Sequence, residues 1–223
     1  GPGVLVEADE QGATGAQGGG LVRSILADPN REFAVRAITR DPDSPKARAL
    51  AAAGAEVVAA DIADRAAVAR AFDGADGAYC VTFFWNHFSP DQERAEAHAL
   101  ADAAKQAGVQ HVVWSTLEDS RRFVKLEDAR MPTLMGRYKV PHFDVKGEAD
   151  DYFRGTGVPT TCLLTSFYWD NLIHFGMGPK KGPDGVLAIT LPMADKRLSG
   201  IAAEDIGKCA CGTRHGIAEL GER

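Results

Sequence analysis

The sequence predicts an α/β protein built on a doubly wound parallel sheet. Short apolar runs alternate with segments of helical period along the first 165 residues. The apolar runs are rich in valine, isoleucine, threonine and aromatic residues, and none alternates cleanly between apolar and polar positions. This is the composition of strands covered on both faces. Strands and helices that take turns form right-handed βαβ units, which give a parallel sheet.

Six segments are strand candidates, and each is short and apolar. They are VLV (4–6), FAVRAIT (33–39), AEVVAA (55–60), GAYCVTFF (77–84), QHVVWST (110–116) and PTTCLLT (159–165).

Five segments between the strands have helical period. They are residues 18–28, 44–53, 63–73, 89–107 and 142–156. Two of them begin with a serine cap followed by proline, at Ser44-Pro45 and Ser89-Pro90, and Gly54 ends the first of these two.

The pattern loosens beyond residue 165. Residues 176–186 form a turn region rich in glycine and proline, and VLAITLP after it reads as one more strand. Residues 117–141 form a long polar connection, and a loop of that length is usually functional or partly disordered.

Composition excludes several classes of function. The formal net charge is −6 and no basic block occurs, so we expect no direct contact with nucleic acid. No apolar stretch has the length of a membrane helix and no signal peptide opens the chain, so we expect a cytoplasmic protein, or a nuclear one in a eukaryote. We predict no metal site, because four histidines lack ligand spacing: His87, His98, His111 and His174.

A glycine-rich loop precedes the first predicted helix. Gly12, Gly15 and Gly18 follow G-x-x-G-x-x-G spacing. Glycine lets a backbone approach a diphosphate closely, and the free N–H groups at the helix start stabilise its charge. The alternative is an ordinary glycine turn, but the position of the loop before the first helix of a βαβ series favours a nucleotide site.

The second strand ends in Arg40, where dinucleotide-binding proteins usually carry an acidic residue for the ribose. A guanidinium there suits a 2′-phosphate, which favours NADP(H) over NAD(H), although NAD(H) stays possible. The alternative for Arg40 is an exposed surface arginine. Asp61, at the end of the third strand, either lies beside the adenine or caps the following helix.

Five segments together resemble the NmrA-like proteins, an atypical branch of the short-chain dehydrogenase/reductase superfamily. They are GATGAQGG, VRAITRDP, GAEVVAADIAD, HFDVKGEADDYFRGTGVP and GIAAEDIGK, within residues 12–207. The resemblance implies a Rossmann domain that binds NAD(P)(H), followed by a smaller C-terminal lobe. It also implies cofactor contacts at Gly12, Thr14, Gly15, Gln17, Gly18 and Arg40. We add Ala16, Asp61, Thr82 and Lys146 to this predicted set. We divide the chain into a Rossmann domain (1–158) and a last strand with a partial lobe (159–223).

Short-chain reductases use a serine or threonine together with a tyrosine four residues before a lysine. One helical turn brings the phenol and the ammonium together, and the ammonium lowers the phenol's pKa. The matching stretch here is HFDVK, in which His142 replaces the tyrosine and Lys146 is kept, while Ser115 matches the serine. His142 could donate a proton, or could simply follow Pro141 at a helix start.

Three functions follow as expectations. The first is an NADP(H) sensor that acts on a protein partner and regulates transcription with little turnover, as some NmrA-like proteins do. The second is an NADPH-dependent reductase of a quinone or enone that uses Lys146. The third is a cofactor-free interaction module. Self-association is also possible.

Two features depart from the family pattern. Glu7-Ala8-Asp9-Glu10-Gln11 separates the first strand from Gly12, and carboxylates beside a diphosphate would weaken its binding. The chain also stops early, so we expect an incomplete C-terminal lobe or a fragment, with some apolar surface bare.

Overall fold

The computed structural model describes residues 3–6, 15–30, 33–174 and 176–221, and its centre is a six-stranded parallel sheet. The strand order is β3-β2-β1-β4-β5-β6. The strands are β1 (Gly3–Val6), β2 (Ala34–Thr39), β3 (Glu56–Ala59), β4 (Gly77–Cys80), β5 (His111–Thr116) and β6 (Thr160–Leu164). All six overlap the predicted segments, although β4 ends at Cys80 and not at residue 84, and the doubly wound α/β class is confirmed.

Helices cover both faces of this sheet. They are α1 (Ala16–Leu26), α2 (Pro45–Ala53), α3 (Arg65–Phe72), α4 (Pro90–Gln106) and α5 (Pro141–Gly155). The predicted caps are present: the side chains of Ser44 and Ser89 accept bonds from the N–H groups of Ala47 and Gln92, at 3.2 Å each.

Alternate residues of the strands enter two separate cores. On β4, Ala78 and Cys80 pack with α3, α4 and α5, whereas Tyr79 packs on the opposite face with α1. Trp114 of β5 is fully buried in the first core. Burying a large apolar side chain stabilises the fold by about 1.5–3 kcal/mol, so both faces contribute to stability.

Among the described residues, the C-terminal part adds four short strands and two further helices. They are β7 (Phe167–Tyr168), α6 (Asn171–His174), β8 (Lys180–Lys181), β9 (Leu187–Ala188), β10 (Gly200–Ile201) and α7 (Ala203–Gly221). The strand predicted at VLAITLP is wrong in extent, because only Leu187 and Ala188 pair, with β8 in a short hairpin. No helix in the described ranges is long and apolar enough to span a membrane.

The long connection between β5 and α5 is held by a buried carboxylate. One oxygen of Asp144 accepts bonds from the backbone N–H and the hydroxyl of Ser120, at 2.9 and 2.5 Å. Its other oxygen accepts from the backbone N–H groups of Lys139 and Val140, at 2.8 and 3.2 Å. Both ends of the connection are therefore fixed to the first turn of α5.

Helix α7 packs directly on α1, and glycines allow the close approach. A Cβ at Gly207 would collide with the backbone nitrogen of Leu21, and a Cβ at Gly20 would collide with the carbonyl oxygen of Glu204. Arg23 of α1 also donates to both carboxylate oxygens of Glu204, at 3.1 and 2.5 Å. The C-terminal helix thus supports the helix that follows the glycine loop.

We expect Gly207→Ala to lower the free energy of unfolding by about 1–3 kcal/mol, because the added methyl separates two helix backbones. Gly212→Ala is the matched control, since no atom lies within 4 Å of a Cβ built there in the same helix. That control is expected to stabilise the protein by up to about 1 kcal/mol. Urea unfolding followed by circular dichroism measures both, and equal effects would contradict the packing argument.

Candidate functional site

The candidate site lies at the carboxyl ends of the strands, where the strand order reverses between β1 and β4. Gly12, Thr14 and the acidic run 7–11 lie outside the described residues. Gly15 is the N-cap of α1 and is buried, Ala16 is the first helical residue, and Gly18 is buried in the first turn. The start of α1 therefore directs its free N–H groups to the end of the sheet at which Rossmann proteins hold a diphosphate.

Gln17 connects α1 to three other elements. Its side-chain oxygen accepts hydrogen bonds from the Tyr79 hydroxyl at 2.5 Å and from the Ser115 hydroxyl at 2.8 Å. Its side-chain nitrogen donates to the Tyr168 hydroxyl. The amide is buried, and burial raises the pKa of Tyr168, so this phenol stays protonated.

Lys146 reaches from α5 under the ends of β4 and β5. Its ammonium donates to the hydroxyl and the carbonyl oxygen of Thr82, at 2.8 and 3.0 Å, and lies 3.5 Å from the carbonyl oxygen of Ser115. It also lies 4.8 Å from the centroid of the Trp114 ring. The structure thus brings together three of the predicted site residues.

Glu93 completes this arrangement, and the sequence reasoning missed it. One of its oxygens accepts from the Thr82 hydroxyl at 2.6 Å and lies 3.4 Å from the ammonium of Lys146. The second oxygen faces His87, which also faces Glu96. A signal was present, because Glu93 and Glu96 share one face of α4 with the buried Leu100.

The ring of His142 packs among aromatic side chains, close enough to Glu93 and Lys146 to be affected by their charges. His142 follows Pro141, the first residue of α5, and its ring packs 4.7 Å from that of Trp85 and 5.8 Å from that of Phe84, measured between centroids. Burial lowers the pKa of His142, so its imidazole is neutral at neutral pH. The hydroxyl of Ser115 is bonded to Gln17, and no hydrogen bond between Ser115 and His142 is found among the described residues.

The two residues predicted for the adenosine side are exposed. Arg40 follows the last residue of β2 at the surface, and Asp61 follows Ala60 after the end of β3. The side chain of Asp61 accepts from the Ala63 N–H at 2.9 Å, whereas Asp64 caps α3. The predicted capping role of Asp61 is therefore wrong, because the residue lies one turn too early.

The strand order, together with a helix opened by glycine at the switch point, defines a Rossmann-type α/β protein. The chain belongs to the NmrA-like family, whose model matches residues 11–222.

Known relatives agree with this assignment. An NmrA-like family domain-containing oxidoreductase of Malbranchea aurantiaca, malD, is 42% identical in an alignment 214 residues long, which covers 87% of this chain and 59% of that protein. The crystal structure of the negative transcriptional regulator NmrA in complex with NADP covers 92% of this chain and 60% of its own, with 25% identity and a TM-score of 0.72. Its complex with NAD gives a TM-score of 0.73 at the same identity and coverage. The chain thus spans less than two thirds of these proteins.

The lowered pKa of His142 predicts a pH dependence of stability. Between its folded pKa and its ordinary value of about 6.5, the unfolded chain binds more protons, so the free energy of unfolding falls as pH falls through this window. His142→Gln should therefore reduce the fall in the free energy of unfolding between about pH 7.5 and pH 5, which urea unfolding at each pH measures. His174→Gln, at an exposed histidine, is the control. If the free energy of unfolding depends on pH in the same way in both variants, burial of His142 does not cause the pH dependence.

Proposed function

We propose that this chain binds a nicotinamide dinucleotide at the carboxyl edge of its sheet. The observation that carries the proposal is the buried ammonium of Lys146 at the ends of β4 and β5, on the same edge as the glycine-opened start of α1. Helix N–H groups would hold the diphosphate, and Lys146 would hold the ribose hydroxyls beside the nicotinamide. Gly12, Thr14, Gly15, Ala16, Gln17 and Gly18 form the proposed diphosphate cradle.

NADP(H) is the proposed cofactor in preference to NAD(H). Arg40 is exposed at the end of β2, where a 2′-phosphate would lie, and a guanidinium binds phosphate through paired hydrogen bonds. The regulator NmrA has been crystallised with NADP and with NAD, which supports dinucleotide binding without favouring either.

Sensing with little turnover is the proposed role. The serine, the ring at the tyrosine position and the lysine do not form one hydrogen-bonded set, because Ser115 is bonded to Gln17 and His142 is packed among aromatic rings. Bound cofactor would then act through a protein partner. We propose a transcriptional regulator as that partner.

A second candidate is an NADPH-dependent reductase of a quinone or enone. Its support is the name oxidoreductase carried by the 42% identical relative of Malbranchea aurantiaca, together with the intact Lys146. In this candidate the lysine would supply the proton that follows hydride transfer.

Arg40→Ala should weaken NADPH binding about tenfold and NADH binding less than about twofold, because only NADPH carries the phosphate that the guanidinium would contact. Fluorescence titration with each nucleotide measures both affinities. Arg48→Ala is the control, since Arg48 is an exposed arginine on the neighbouring α2. Equal losses for the two nucleotides would remove the basis for the preference, and absence of binding in the wild type would contradict the proposal itself.

Turnover separates the two roles. With NADPH and a quinone acceptor, the sensor role predicts oxidation no faster than the protein-free background. The reductase role predicts turnover that falls by about a hundredfold or more in Lys146→Ala. Lys105→Ala, an exposed lysine change on α4, controls for surface charge. Turnover lost only with Lys146 would replace the sensor with the reductase.

A further inference from the structure

His87, Glu93 and Glu96 form a buried cluster below Lys146. The Nε2 atom of His87 lies 3.4 Å from one oxygen of Glu93 and 3.5 Å from one oxygen of Glu96. The side chain of Glu93 is fully buried, yet its Oε2 and the His87 Nε2 have no hydrogen bond of normal geometry within the described structure. Burying such groups without a bond is costly, which favours a proton or a cation that pairs them.

The tautomer of His87 distinguishes between a proton and a metal ion at this position. Its Nδ1 accepts the backbone N–H of Ser89 at 3.0 Å, so this nitrogen carries no proton. A neutral imidazole then carries its proton on Nε2, pointing at the two carboxylates. A metal ion on Nε2 would require the opposite tautomer, since ligating histidines donate their other N–H.

The sum of the charges in and around the cluster also favours a bound proton over a metal ion. The groups that face the cluster are Lys146 and His142 from α5. Two carboxylates and one ammonium together carry a net charge of about −1. A single added proton neutralises this charge, whereas a divalent ion would leave the cluster positively charged. Burial raises the pKa of Glu96, in the direction of holding that proton.

The Thr82 hydroxyl joins the cluster to the lysine. It accepts from the ammonium of Lys146 at 2.8 Å and donates to Glu93 at 2.6 Å. We propose that His87, Glu93 and Glu96 form a buried proton store that exchanges one proton with Lys146 through Thr82. This rests on the proposed function, because Lys146 is taken to face the nicotinamide ribose.

The exchange moves one proton and no electrons. The stored proton is shared between the carboxyl groups of Glu96 and Glu93, which offer oxygens within 4.8 Å of each other. When Lys146 has lost a proton, Glu93 in its acid form gives its proton to the Thr82 oxygen while the Thr82 proton passes to the amine. The carboxyl group becomes a carboxylate and the amine becomes an ammonium. Water recharges the store from the side of His87 and Glu96, whose side chains are 11% and 6% exposed while that of Glu93 is 0% exposed.

Cofactor binding tests the store without any turnover. When ribose hydroxyls accept hydrogen bonds from the ammonium of Lys146, they draw this cation away from Glu93. The negative charge of the cluster is then less compensated, so the cluster takes up a proton from solution. Calorimetric titration of NADPH in buffers of different ionisation enthalpy gives the number of protons exchanged. We expect uptake in the wild type and its loss in Glu93→Gln, and comparing the two cancels the contribution of the cofactor's own phosphate.

Asp91→Asn removes one exposed charge from the same helix and should keep the wild-type uptake. If the titration of NADPH into the wild type released or absorbed no heat in any of the buffers, the cofactor would not bind, and this would contradict the proposed function. Binding with equal proton exchange in wild type and Glu93→Gln would overturn the store alone.

A second measurement needs no folded Glu93 variant. Nitrogen-15 spectra of the histidine rings in the wild type, assigned with His87→Asn, should show the Nε2–H tautomer of His87. The Nδ1–H tautomer, or saturable Zn²⁺ binding that His87→Asn abolishes, would replace the proton with a metal ion and overturn the proposal.

Discussion

A buried ammonium has to be paired, and this constraint organises the carboxyl edge of the sheet. Removing an ammonium from water costs several kcal/mol unless its partners replace the water. The partners of Lys146 come from separate elements: Thr82 follows β4, Ser115 lies in β5 and Glu93 lies in α4. One cation thereby fixes the relative positions of two strands and two helices where the cofactor is proposed to bind.

Gln17 joins separate elements in a similar way on the α1 side of the site. Its amide can both accept and donate, so one side chain joins the helix after the glycine loop to β4, β5 and β7. Any displacement of α1 by a bound diphosphate would therefore reach Tyr168 in the C-terminal part. Helix α7 restrains the same helix from behind, because the glycine contacts at Gly20 and Gly207 leave no space between the two backbones. The C-terminal elements β7 and α7 are thus mechanically connected to the start of α1.

The sheet could be predicted because periodicity and capping are local signals. Ser44 and Ser89 cap their helices as the sequence indicates, and every predicted strand of the main sheet is present. Two expectations failed, because they depended on contacts distant in sequence or on a shift of a few residues. VLAITLP is apolar enough for a strand, but it finds a pairing partner only at two positions, and the cap of α3 falls to Asp64 instead of Asp61.

The buried polar arrangement at the candidate site was expected at its lysine and missed at its carboxylates, for a physical reason. Lys146 stands in a recognisable frame, whereas Glu93 is recognised only when its apolar helix face is seen to be buried. That difference bears on mechanism. A phenol at position 142 could share the field of the lysine, but the imidazole is neutral and packed against Trp85. With the cofactor bound as proposed, a proton delivered beside the nicotinamide would come from Lys146 or from water, and a lysine that gives up its proton inside a buried site needs a neighbour able to return it.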